Sequence, residues 1–192
     1  MRITMVGLGF VLMSTGLAAA APPPPPEVMV AARDGLYHVT ATFRISEPAS
    51  IAFAALTDYE HIPRFMPDVR KSHVLARHGH TAIVEQEAVA RLMLFSKHIH
   101  LVLDIIEAPQ IIRFRDRCGQ SFEQYEGAWT LSEKDGHVEI GYTLTAKPTF
   151  DVPAFLLTRL LKSDAQTMIE RLRAEIARRA ATPRDLAETP EV

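Results

Sequence analysis

From Pro153 to about Arg179, apolar side chains recur in steps of three and four, at Leu157, Leu161, Ala165, Met168, Leu172 and Ile176. That period predicts one helix of about 26 residues with a single apolar stripe. The opposite face carries Arg159, Lys162, Gln166, Glu170, Arg173 and Arg178. Pro153 suits a first turn, and Asp151 just ahead of it can cap. A helix of this kind needs an apolar surface to lie on, and the residues upstream must supply it.

Upstream, the pattern reads as strand, short helices, then many strands. Residues 38–46 alternate as a strand does. Pro48 opens a short apolar helix over 49–56, and 58–66 follows as a further helical turn that Pro63 and Pro67 keep short. Three pairs of strands come next: 69–77 with 81–94, 98–107 with 111–117, and 122–133 with 137–146. They turn at His78-Gly79-His80, Pro109-Gln110 and Asp135-Gly136. A two-residue loop at Pro109-Gln110 sets Ala108 against Ile111, Asp104 against Arg115 and Ile105 against Phe114. Ile112, Phe114 and Asp116 then point inward. Arg113, Arg115 and Arg117 point to solvent with Glu85 and Glu87, either as a solvated face paired with glutamates or as a surface for anionic lipid or a partner.

The ends read differently. Met1-Arg2, the uncharged run from Ile3 to Leu17 and the alanines at 18–21 have the layout of a signal peptide, residues 1–20, cut near Ala20. Export to the periplasm or an equivalent compartment is the expectation, with an uncleaved membrane anchor as the alternative. Five prolines, Pro22 to Pro26, suggest an extended spacer over 21–36. The folded domain is expected over 37–180, ahead of a disordered tail at 181–192. Cys118 is the only cysteine, so an internal disulfide is excluded and the fold rests on its core. A formal net charge of −2 gives no footprint for nucleic acid.

The order of elements resembles the helix-grip fold of the START-like (SRPBCC) superfamily, in its polyketide cyclase/dehydrase and coenzyme Q-binding branch. Three segments carry the resemblance: AFAALTDYEHIPRFMPDVRKSHVL (52–75), YEGAWTL (125–131) and GYTLTAKPTFDVPAFLLTRLL (141–161). It implies an α+β fold in which a curved antiparallel sheet of about seven strands wraps on the C-terminal helix, two short helices following the first strand. It also implies an internal cavity for an apolar ligand and no fixed cofactor, without naming one ligand or one activity.

Strand alternation turns Gln86, Phe114, Asp116, Tyr125, Trp129 and Tyr142 inward. Ala88, Ala90 and Gly127 share that face and leave space there. Leu161, Ala165 and Met168 close it from the helix. Together these twelve residues are the candidate ligand-binding set. His98 and His100 could share a metal, but alternation sends both outward and no carboxylate or thiol completes a set, so no metal site is expected. No nucleophile elbow is present, and no catalytic residue stands out. Three functions fit: an exported carrier of a small hydrophobic ligand, a cofactor-independent cyclase or dehydratase using the same cavity, and a protein-interaction module using the outer face of the sheet. Ligand entry is expected where the 58–67 segment meets the closing helix.

Overall fold

The computed structural model describes residues 25–92 and 95–182. The expected signal peptide and most of the expected tail therefore lie outside the described residues. In chain order the elements are β1 (Glu27–Arg33), β2 (Leu36–Ile45), α1 (Ala49–Leu56), a 3₁₀ turn (Tyr59–His61) and α2 (Ile62–Phe65). There follow β3 (Val69–His78), β4 (Thr81–Leu92), β5 (Phe95–Ala108), β6 (Ile111–Asp116), β7 (Phe122–Lys134), β8 (His137–Pro148) and α3 (Ala154–Ala181).

The strands form one antiparallel sheet in the order β1-β2-β8-β7-β6-β5-β4-β3, so the chain returns at β8 to close against β2. This is the helix-grip arrangement, with eight strands instead of about seven. The β5–β6 register is the expected one, with Ile105 facing Phe114 and Asp104 facing Arg115. On the outer face Arg115 pairs with Glu126 at 3.5 Å and Arg117 with Asp104 at 3.4 Å. Glu87 pairs with Lys71 and Glu85 with His100, both at 3.0 Å.

The extra strand corrects the expected spacer at 21–36. Residues 27–33 are β1, joined to β2 through Asp34-Gly35, both in the left-handed region at φ 53° and 77°. Val28 is buried, and β1 contacts α3. A proline run cannot enter a ladder, but the alternation that begins just after it can. The domain therefore starts near Pro26, ahead of the expected Tyr37.

Helix α3 buries Leu157, Ala165, Ile169, Leu172, Glu175 and Ile176. Its N-cap is Pro153, without a side-chain cap bond, so Asp151 does not take the capping role expected of it. Arg173 is half-buried, its guanidinium 5.3 Å from the centre of the Phe43 ring, rather than on a solvated face. The last turns of α3 are held by polar contacts. Arg179 donates to Glu175 and Asp58, both at 2.7 Å, and to the Ala54 carbonyl at 3.1 Å.

Candidate functional site

Helix α3 approaches the sheet most closely at β1 and β2. Over the β4–β8 half the helix stands away from the strands, and a cavity of about 990 Å³ separates them. That lies at the upper end of the usual range for small-molecule sites, about 300–1,000 Å³. Its strand wall is aliphatic on β5, where Ile99, Leu101, Leu103 and Ile105 alternate inward, and aromatic on β6–β8. The rings of Trp129 and Tyr142 are 4.5 Å apart, those of Phe122 and Tyr125 4.8 Å, and those of Phe114 and Tyr125 5.9 Å.

Of the residues expected inside, Gln86, Ala88, Ala90, Phe114, Tyr125, Trp129, Tyr142, Leu161, Ala165 and Met168 line this cavity. Two do not. Asp116 has the inward parity, but its carboxylate accepts the backbone N–H groups of Val102 at 2.9 Å, Cys118 at 3.3 Å and Gly119 at 3.0 Å. It organises the turn after β6, which satisfies a half-buried carboxylate locally. Gly127 opens no space for a ligand either. A Cβ there would lie 2.6 Å from Phe114 Cζ and 2.1 Å from the Thr143 carbonyl oxygen. The gap above the glycine is already filled by the Phe114 ring.

Polar groups in the cavity are few. Gln86 donates to Ser72 Oγ at 3.1 Å, so its amide is held from below. The Tyr125 and Tyr142 hydroxyls lie near enough to influence each other's ionisation. Burial pushes Tyr125 up to about 12 and Tyr142 well above its usual value, so both stay neutral. Tyr59, not among the expected residues, lines the cavity near α1. Its hydroxyl donates to Glu107 at 2.8 Å, and Arg77 reaches the same buried carboxylate at 3.2 Å.

Charge is confined to the rim. Asp68 pairs with Arg91 at 2.8 Å, and Lys97 lies 5.0 Å from the centre of the Phe150 ring. Asp164 and Arg171, both on α3, also border the cavity. Asp164 keeps an exposed side chain, and partial desolvation at the cavity border, then the charge of Asp68, raises its carboxyl to about 6. Neither residue stood out in the sequence, because each flanks the apolar stripe as any solvated residue would. Among the described residues no group of three or more His, Cys, Asp or Glu is arranged to hold a metal. His100 is hydrogen-bonded to Glu85 on the outer face.

The family model described as polyketide cyclase / dehydrase and lipid transport matches residues 45–173, from the end of β2 into α3. The chain belongs to that family. Several solved structures share its fold. A protein of Thermus thermophilus is 21% identical, with a TM-score of 0.65 over 75% of this chain and 99% of that one. The Zhui aromatase/cyclase of Streptomyces sp. R1128 is 14% identical, with a TM-score of 0.65 over 75% and 95%. A STAR-related lipid transfer protein of Xanthomonas axonopodis is 18% identical, with a TM-score of 0.64 over 82% and 97%. Among curated proteins, none matches the chain in sequence. At these identities the neighbours show the fold, and the polyketide cyclase/dehydrase and lipid transport family brackets its uses between carrying and converting apolar molecules.

Proposed function

We infer that this family member is an exported carrier that encloses a small hydrophobic molecule: a lipid, an isoprenoid quinone, or a sterol-like or aromatic polyketide-like compound. One observation supports this above the others. The closing helix leaves a cavity of about 990 Å³ over the apolar wall of the sheet instead of packing into it. Covering some 300 Å² of apolar ligand surface contributes about 7–8 kcal/mol before the entropy of association, which supports micromolar binding with little polar contact. The signal-like start of the chain motivates the export half of the reading.

The test is native mass spectrometry and organic extraction of the full chain, expressed with its own N-terminus and recovered from the exported fraction. A co-purifying apolar molecule, on a polypeptide shortened by the mass of residues 1–20, is the expected result. Protein that carries nothing and fails to bind the neutral probe N-phenyl-1-naphthylamine would overturn the carrier reading. A polypeptide retaining its first 20 residues would overturn the cleaved-export reading.

A second reading is a cofactor-independent cyclase or dehydratase. It is favoured by Asp164, an acid raised to about 6 that borders the cavity and whose charge is felt by Tyr125. Asp164→Asn separates the two readings. A carrier keeps its ligand in that variant, whereas an acid–base enzyme loses turnover by about 100-fold or more.

A further inference from the structure

Along the flank of α3 that borders the cavity, Asp164, Thr167 and Arg171 follow one another at spacings of three and four. They therefore share one side of the helix. Arg171 is half-buried, and its neighbours in the cavity wall are Met168 and Leu172. Among the described residues, no carboxylate lies within the 4.0 Å of an ion pair with it. The other two cations of the rim are engaged, Arg91 with Asp68 and Lys97 with the Phe150 ring. A guanidinium is always charged and presents five donors in a planar fork that matches an acid group. Withdrawing it from water without a partner is costly. Thr167, one turn earlier, places a hydroxyl donor on the same side.

The depth of the cavity has the opposite character. Its Tyr125 and Tyr142 hydroxyls are neutral, Gln86 and Tyr59 already donate to Ser72 and Glu107, and its walls are otherwise apolar, so the depth carries no cation to hold a charged group. An ion belonging to the ligand must stay at the rim. Asp164 further limits where it can sit, since an anion near that carboxylate would be repelled. The Arg171 end of the strip is the place left.

We propose that the ligand is an anionic amphiphile whose acid group is held by Arg171 and Thr167 while its apolar part fills the cavity. This rests on the cavity being a ligand site, and it adds a charge requirement that the carrier reading alone lacks. The acid could be a carboxylate or a phosphate.

The experiment measures displacement of N-phenyl-1-naphthylamine from the full chain by palmitate, methyl palmitate, palmitoyl lysophosphatidate and cetylamine. Palmitate or lysophosphatidate should bind at least about tenfold tighter than the methyl ester. Whichever of the two acids binds tighter identifies the acid group. In Arg171→Gln that preference should fall to within about threefold, with the thermal unfolding midpoint as the check on folding, and Arg171→Lys should recover part of it. Equal binding of acid and ester by the native chain would overturn the proposal while leaving the carrier reading intact. So would an acid preference that survives Arg171→Gln, or a preference for the amine. Failure of every probe to bind would remove both readings together.

Discussion

Arg179 in the last turns of α3 donates to Asp58, just after α1, at 2.7 Å, so the end of α3 is fastened to the first helical segment. The same guanidinium spans Glu175 and the Ala54 carbonyl. Both partners of the Arg179–Asp58 pair are largely screened from water, at 20% and 30% exposure, so the contact exceeds an ordinary surface ion pair. Arg179→Met should lower unfolding free energy by about 1.5–3 kcal/mol in a urea titration. Glu175→Gln should cost less, since it keeps an acceptor for both arginines. A change below about 0.5 kcal/mol in Arg179→Met would mean that the junction is held by apolar packing alone.

Two carboxyl groups of α3 should respond to pH with opposite sign. The hydrogen bond from Arg178, with those of Arg179, holds Glu175 down at about 2 against its usual 4.5, although burial opposes them. Its contribution is present above pH 4.5 and is lost as pH falls toward 2. Asp164 is raised from 3.8 to about 6, so the folded state binds its proton more tightly. That contribution is full below pH 3.8 and is lost as pH rises through about 6. Carboxyl resonances followed by NMR should show Asp164 titrating near 6. Asp68→Asn should lower this value without restoring it fully, because burial is the larger cause. An Asp164 midpoint near 4 in the native chain would show that this exposed rim carboxyl is solvated like any surface group.

The two strand glycines should differ in tolerance. At Gly127 a methyl group meets the Thr143 carbonyl, a backbone atom that cannot step aside, and the Phe114 ring. At Gly141 it meets only Thr130 Oγ1 at 2.5 Å, the end of a rotatable side chain. Gly127→Ala should cost about 1–3 kcal/mol and Gly141→Ala less than half as much, measured by thermal unfolding. Equal costs would show that the sheet yields at Gly127.

Cavity volume can be altered without touching a polar group. Ala88 on β4 faces the void and is only partly packed, so Ala88→Phe places a ring in empty space rather than in the core. Affinity for N-phenyl-1-naphthylamine should fall about tenfold, with the unfolding midpoint held or raised. Unchanged affinity would place the probe elsewhere on the protein.

Much of this was legible in the sequence. The Asp104–Arg115 register, the short α1 and the stripe of α3 each followed from a single period or turn. β1 was hidden by the prolines before it, although Asp34-Gly35 is the same kind of turn as Asp135-Gly136, with the same pair of left-handed residues. The strand wall of the cavity was readable because alternation fixes which side a residue faces. Alternation does not fix where a side chain's end goes, which is why Asp116 was misplaced. Asp164 and Arg171 escaped notice for a related reason. A helical stripe separates apolar from polar, and these two lie on the border, where only the gap between helix and sheet decides their surroundings.

The pairing of β2 with β8 also governs how the domain is made. Tyr37 meets Ala146 across that ladder, while β3 to β8 are joined neighbour to neighbour through short connections. The later hairpins can assemble from local contacts as they are synthesised. The first one has only its own two strands until the chain is almost complete, and a lone two-stranded ribbon is marginal in water. Searching over more than a hundred residues to finish the sheet makes this the slow step of folding. The cavity, whose walls come from both sides of that ladder, therefore takes shape only when the search ends.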